Sequence, residues 1–152
     1  MIRNAFHLSA LVASALIANC SMDANAEQPA AETATLSLTL EGIATHSGTI
    51  RVAVFAGQED YDANGGVVGA NVPVASDSHT VTLEGLAPGF YGIKLYHDID
   101  DDGDMDTNPF GIPTEPYGFS NNARGRFGPA KWEAAAFEVR AGENSHAITV
   151  GG

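Results

Sequence analysis

Residues 36–40 read Leu-Ser-Leu-Thr-Leu, a strict alternation of apolar and hydroxyl side chains. Because successive side chains of a β-strand point to opposite faces, this period of two places the leucines together on one face. The same alternation returns at 50–54, Ile-Arg-Val-Ala-Val, and at 80–84, Thr-Val-Thr-Leu-Glu. No segment beyond residue 26 sustains a helical period. The pattern predicts an all-β protein whose strands each bury one face.

Further strands are predicted from apolar runs that end at turn residues. They cover about 67–75, 90–98, 134–140 and 145–150, with one helical turn at 58–64 and a closing hairpin turn at 141–144. The total is about seven strands, and seven short antiparallel strands in about a hundred residues are typical of a two-sheet β-sandwich.

The first 26 residues have the features of an export signal. Arg3 supplies the positive charge, residues 5–18 are apolar, and Ala24-Asn25-Ala26 provides small residues at a cleavage site. The apolar run is too short to span a bilayer, and no later stretch approaches that length. We therefore expect a signal peptide at 1–26 and a single periplasmic or extracellular domain at 27–152.

Cys20 leaves an alternative localisation open. Residues 16–20 loosely resemble a bacterial lipoprotein signal, in which the cysteine is lipidated and anchors the protein to a membrane. Cleavage after Ala26 would instead remove the chain's single cysteine. The mature chain would then have neither a disulfide nor a thiol nucleophile.

Composition and motifs argue against several classes of function. A formal net charge of −12 disfavours nucleic acid and anionic lipid as partners. The sequence contains no G-x-S-x-G elbow, H-E-x-x-H pair, phosphate loop or dinucleotide fingerprint. His97 beside Asp98 is a candidate general base, but a histidine that orients a neighbouring carboxylate is the commoner arrangement at a strand end.

The densest chemical signal is an acidic loop that follows the strand predicted at 90–98. Its six aspartates are Asp98, Asp100, Asp101, Asp102, Asp104 and Asp106. With Gly103 they match the D-x-[DN]-x-[DN]-G spacing of a calcium-binding loop, whose alternate residues turn oxygens toward one centre. We therefore predict Ca²⁺ as a cofactor, bound by Asp98, Asp100, Asp102 and Asp106, with Asp104 offering its backbone carbonyl.

The loop departs from an EF-hand in one important respect. Pro109 stands at position twelve, where an EF-hand has a bidentate glutamate, and the preceding residues do not form a helical pattern. The remaining oxygens would have to come from backbone, water or a distant acid such as Glu115. The alternative interpretation is a solvated acidic turn with no specific ion.

A stretch without periodicity runs from Thr107 to Lys131 and is too long for a simple loop in a compact domain. Its aromatic residues, with one just beyond it, are Phe110, Tyr117, Phe119, Phe127 and Trp132. We predict that they form a packed cap over the acidic loop, so that replacing Phe119 or Phe127 by alanine would destabilise the fold by about 3 to 5 kcal/mol. The alternative is a ligand pocket lined by the same rings.

Basic and amide side chains accompany these rings. Arg124, Arg126 and Lys131 are half of the mature chain's basic residues, and ion pairing with the acidic loop is the simplest explanation for them. The alternative is that Arg124 and Arg126 face an anionic ligand beside Ser120-Asn121-Asn122. Candidate cap or ligand residues are therefore Tyr117, Phe119, Asn121, Asn122, Arg124, Arg126 and Phe127.

Two motifs resemble known families. Leu86-Ala87-Pro88-Gly89-Phe90-Tyr91 is similar to the L-x-P-G-x-Y pattern of transthyretin-like and carboxypeptidase regulatory-like modules, which implies an immunoglobulin-like or transthyretin-like sandwich. The acidic loop and Tyr-Gly-Phe-Ser-Asn-Asn-Ala-Arg-Gly-Arg-Phe-Gly-Pro at 117–129 resemble a bacterial secreted family known as domain of unknown function 2141. That resemblance implies no activity.

Two functions of different class follow from these features. The first is an exported, calcium-stabilised β-sandwich that acts as a binding or structural module for an unknown small molecule, glycan or protein. The second is a small hydrolase or carbohydrate-active domain that uses the aromatic loop at 107–132 as its substrate platform.

Overall fold

The computed structural model describes residues 32–65 and 68–151. The predicted signal peptide at 1–26, including Cys20, lies outside the described residues. Within them, no helix is long and apolar enough to cross a membrane.

Most of the described chain is β-structure. The strands are β1 (Ala34–Glu41), β2 (Thr49–Phe55), β3 (Val68–Pro73), β4 (Ser78–Leu86), β5 (Gly89–Asp98), β6 (Tyr117–Phe119), β7 (Phe137–Val139) and β8 (Gly142–Thr149). Two short α-helices, α1 (Gln58–Ala63) and α2 (Trp132–Ala135), and a 3-10 helix at Ser120–Asn122 connect them. The all-β prediction is therefore confirmed, with eight strands in the described ranges rather than about seven.

The strands form two sheets. The smaller sheet has the order β4-β1-β8 and the larger has the order β3-β2-β5-β6, with β7 also paired to β5. β6 pairs with the second half of β5, and β7 pairs with its first residues. The prediction of a two-sheet sandwich is confirmed by this arrangement.

The core lies between the two sheets and is built by the alternating strands. Leu36, Leu38 and Leu40 of β1 are all fully buried, and the hydroxyl residues between them are partly exposed. In β2 the side chains of Ile50 and Val54 belong to the same buried cluster. The period of two in the sequence thus marks the inward face of each sheet.

The end of the chain differs from the prediction. β8 runs parallel to β1, so the sandwich is not wholly antiparallel. The strand predicted at 134–140 begins instead as α2, and only Phe137–Val139 is extended. Because β7 pairs with β5 while β8 pairs with β1, the chain changes sheets at 140–142, and the predicted hairpin turn at 141–144 is wrong.

The long aperiodic stretch is folded, as predicted, but into several small elements. An isolated bridge joins Thr107 to Pro113, and Asn108 Oδ1 accepts hydrogen bonds from the backbone N–H groups of Phe110 and Ile112. The chain then supplies β6 and the 3-10 helix before it reaches α2. Polar turn contacts rather than periodic burial form the first part, which is why no strand pattern marks it.

Candidate metal centre

Asp98 is the last residue of β5 and the structural centre of the acidic loop. Its side chain is fully buried, and Oδ2 accepts a hydrogen bond from Arg51 Nε at 2.9 Å and forms an ion pair with Arg51 Nη2 at 2.6 Å. Arg51 reaches it from β2, which pairs with β5 in a register that places Thr49 opposite Asp98. The buried carboxylate therefore has a charged partner from the neighbouring strand.

The same carboxylate shapes the loop that follows it. Asp98 Oδ1 accepts a hydrogen bond from the backbone N–H of Asp102 at 3.1 Å, and Oδ2 accepts one from Gly103 at 3.0 Å. Gly103 has φ +92°, a conformation that favours glycine. Burial raises the pKa of Asp98, but Arg51 and these two N–H groups outweigh it and hold the pKa below its usual value. Asp98 is thus kept ionised.

Three of the predicted ligands come together. Carboxylate oxygens of Asp98, Asp100 and Asp102, one from each residue, lie within 4.8 Å of one another. Asp100 and Asp102 are exposed, so the cluster opens to solvent on one side. The D-x-D-x-D-G spacing thus brings three carboxylates close together.

The other two predicted ligands lie outside this group of three. Asp104 donates its backbone N–H to Asp102 Oδ1 at 2.9 Å, so its main chain supports the loop. Desolvation, together with the negative charges of Asp100, Asp102, Glu115 and Asp98, raises the pKa of Asp106. The Asp106 carboxylate therefore experiences the charge of the cluster without contributing to its closest group.

Glu115 closes the loop from the far side. It is buried, and its Oε1 accepts a hydrogen bond from the backbone N–H of Ile99 at 2.8 Å while Oε2 accepts one from Asp106 at 3.2 Å. One carboxylate thus ties together the two ends of the acidic loop. The sequence offers Glu115 as a distant ligand, and in the structure it lies at the loop and accepts hydrogen bonds from its backbone.

The sequence does not indicate the structural roles of Arg51 and His97. Arg51 is the single charged residue of β2, and nothing in its local pattern indicates that it faces Asp98. The sequence makes His97 a candidate general base, but it is only 1% exposed and its Nε2 lies 2.7 Å from the Ser47 carbonyl oxygen. It therefore contacts the β1–β2 connection and does not face solvent.

The aromatic cap forms only in part. Phe119 is 8% exposed and packs edge-to-face with Tyr117, and Trp132 packs in the same manner on Tyr61. Phe110 is 88% exposed and Phe127 is fully exposed. The prediction that all these rings seal the sandwich is wrong for Phe110 and Phe127, because their turns carry the side chains outward.

The amides after β6 hold the backbone together. Asn121 Nδ2 donates to the carbonyl oxygens of Ala134 and Ala136, and Asn122 Oδ1 accepts from the backbone N–H of Thr149. Both asparagines have positive φ, and these contacts stabilise that conformation. The two side chains therefore anchor the segment to α2 and β8.

The cations of this segment do not pair with the acidic loop. Arg124, Arg126 and Lys131 are exposed, and across residues 32–65 and 68–151 no carboxylate oxygen lies within 4.0 Å of their charged groups. The predicted ion pairing is wrong, since the partner of the acidic loop is Arg51.

Comparison with known proteins gives one result. A family model described as "Uncharacterized protein conserved in bacteria (DUF2141)" matches residues 38–147, from the second half of β1 into β8. No curated protein and no solved structure matches the chain.

Proposed function

The chain belongs to the DUF2141 family, and because that description names no activity, we propose from the site itself that the protein is an exported β-sandwich module whose acidic loop binds Ca²⁺. In this proposal the ion binds the acidic loop that directly follows β5, through Asp98, Asp100 and Asp102. The ion stabilises the fold and orders this edge of the domain.

The main support for calcium binding is that carboxylate oxygens of Asp98, Asp100 and Asp102 lie within 4.8 Å of one another. Calcium accepts six to eight oxygens in flexible geometry, and a half-open carboxylate cluster allows water to complete the shell. Asp98 Oδ1 accepts one hydrogen bond, from Asp102, and a carboxylate oxygen has a second lone pair for a cation.

The balance of charge supports a cation at this point. Arg51 is the basic residue that pairs with the loop, and it contacts Asp98 at 2.6 Å and Asp101 at 3.9 Å. Within the part of the chain that the structure describes, no Lys, Arg or His nitrogen lies within 4.0 Å of the carboxylates of Asp100, Asp102 or Asp106. A divalent ion at the centre of the cluster would convert their mutual repulsion into coordination.

Calcium titration of chelator-treated protein tests the proposal directly. We expect binding by calorimetry and a melting temperature that rises with calcium, because a ligand bound only by the folded state adds about 2.7 kcal/mol at a hundredfold excess over Kd. Magnesium should stabilise less, since it requires a smaller, strict octahedron and loses its waters reluctantly.

A matched pair of variants separates coordination from general electrostatics. Asp100→Asn removes one of the three clustered carboxylates and should weaken calcium binding by about tenfold or more. Asp101→Asn removes the same charge from the same loop but lies outside the cluster, so it should have a much smaller effect. Equal effects of the two variants, or an unchanged melt at millimolar calcium, would show that the loop is a solvated acidic turn.

Export is the second part of the proposal and rests on the sequence. Arg3, the apolar run at 5–18 and the Ala24-Asn25-Ala26 motif form the signal, and anchoring through Cys20 is the competing route. Free calcium is abundant outside cells, so a loop of modest affinity would be loaded there.

A further inference from the structure

The three unpaired cations form a distinctive surface on an acidic protein. Of the Lys and Arg residues in the described ranges, Arg51 binds Asp98, Arg140 binds Glu138, and Lys94 binds the Tyr61 carbonyl and Asn64. The remaining residues are Arg124, Arg126 and Lys131, which have no carboxylate within 4.0 Å in residues 32–65 and 68–151. Among the described residues of this chain, whose net charge is −12, the unpaired Lys and Arg side chains are thus gathered in one segment.

Two adjoining clefts run along this segment, and we call them together the basic groove. The first has a volume of about 310 Å³ and is lined by residues that include Tyr117, Arg124 and Thr149. The second has a volume of about 470 Å³ and is lined by residues that include Arg126, Phe127 and Lys131. Arg124 and Gly125 line both, so the clefts are contiguous.

The backbone beneath the groove is closely packed. A Cβ atom added to Gly125 would overlap the carbonyl oxygen of Gly128, so the turn closes on itself in a way that only glycine permits. Just before this turn in the chain, the side chains of Asn121 and Asn122 form hydrogen bonds with the backbone of α2 and β8. The two arginines are therefore presented from an anchored turn, which lowers the entropy cost of binding.

An exposed ring lies between the cations in the sequence. Phe127 is fully exposed and lines the second cleft beside Arg126. Exposed aromatic faces pack well against the C–H faces of sugar rings, and the planar guanidinium group matches a carboxylate or sulfate. In an acidic sugar the charged group is attached at or near the ring, so neighbouring residues of the protein can contact both parts at once.

We propose that the basic groove binds an acidic oligosaccharide, with its carboxylate or sulfate groups on Arg124, Arg126 and Lys131 and a sugar ring on Phe127. The two contiguous clefts suit an elongated ligand with more than one acidic group. The site is separate from the acidic loop and does not depend on calcium binding there.

Binding to defined probes tests the proposal, with the full-length mature protein assayed both in calcium and in chelator at physiological salt. The probes are oligogalacturonate, a sulfated dextran, a neutral oligogalactoside and polyglutamate. We expect one or both acidic saccharides to bind, and the neutral saccharide and polyglutamate to bind at least about tenfold more weakly. Equal binding of polyglutamate would overturn the proposal, because charge alone would then explain the interaction.

Variants assign the binding to the groove. Arg124→Gln and Arg126→Gln should each weaken binding of the acidic saccharide by about tenfold. Phe127→Ala should weaken it while leaving the melting temperature unchanged, since the ring is exposed. Arg140→Gln, an exposed arginine paired with Glu138, is the control and should bind normally. The proposal would be contradicted if neither acidic saccharide bound, or if Arg140→Gln weakened binding as much as Arg124→Gln and Arg126→Gln.

Discussion

Single residues in this protein hold elements that lie far apart in the chain. Asp98 receives Arg51 from β2 and the backbone N–H groups of Asp102 and Gly103. Its charge is therefore satisfied before any ion binds, and the more exposed Asp100 and Asp102 are the better positions at which to test coordination. Removing only one partner of this ion pair would destabilise the fold, because the other charge would be left unpaired.

The stability of the protein should depend on pH through His146. Its Nε2 accepts a hydrogen bond from the backbone N–H of Asn121 at 3.0 Å, and its ring stacks on Phe137 with centroids 4.0 Å apart. Burial lowers the pKa of His146 below 6.5, so at pH just below 6.5 the unfolded chain binds more protons than the folded one. The contribution of His146 to the free energy of unfolding is therefore fully present above pH 6.5. It is lost as the pH falls toward the lower pKa of the folded state.

Melting temperatures measured as the pH is lowered check this expectation. His146→Gln keeps a hydrogen-bond acceptor but does not titrate, so its melting temperature should fall less steeply below pH 6.5 than that of the unmodified protein. All other ionisable residues are the same in the two proteins, so the comparison isolates the effect of His146. If melting temperature fell equally steeply with pH in both proteins, His146 would not contribute to the pH dependence of stability.

At the level of elements, burial divides the aromatic segment into two parts. β6 places Phe119 against the core and pairs with β5, whereas the turn at 124–128 extends outward. Gly118 of β6 lies so close to β8 that an added Cβ would come within 2.9 Å of Ile148 Cγ2. This segment therefore contacts both sheets, and its outer turn is available for binding.

A pair of phenylalanine variants tests that division. Phe119→Ala should reduce the free energy of unfolding by about 3 kcal/mol or more, because the ring is 8% exposed and its removal leaves a cavity. Phe127→Ala should change it by no more than about 0.5 kcal/mol, since the ring is fully exposed. Urea denaturation measures both values. If both variants lost a similar, large free energy of unfolding, both rings would be buried, as in the packed cap that the sequence predicts.

At the scale of the whole molecule, the smaller sheet joins the two ends of the domain. β1 lies between β4 and β8, with Ala34 opposite Gly142 and Glu41 opposite Thr149. The partners of this parallel pairing are distant in sequence, so forming it carries a large loop-closure entropy cost. The family match at 38–147 includes parts of both strands of this pair.

Maturation should leave this architecture intact. Cleavage after Ala26 lies before β1, which begins at Ala34, so we expect a mature chain that starts at Glu27 and retains every strand. Intact-mass analysis of exported protein measures the start directly. Detection of a lipidated species that begins at Cys20 would contradict this prediction and would mean that the protein is anchored to a membrane.

The sequence alone determined the features that depend on local spacing. Alternation at 36–40 and 50–54 identified β1 and β2 and their buried faces, and the spacing of aspartates around Gly103 identified the loop that brings carboxylates together. These predictions succeed because strand geometry and loop curvature relate neighbours a few residues apart.

Only the tertiary structure decided which distant residues meet. It placed Arg51 on Asp98, set β8 parallel to β1, and turned Phe127 into solvent while burying Phe119. Each outcome depends on strand register and on packing between elements that are remote in the chain. The free energies that select them are sums over the whole core, so no short stretch of sequence contains them.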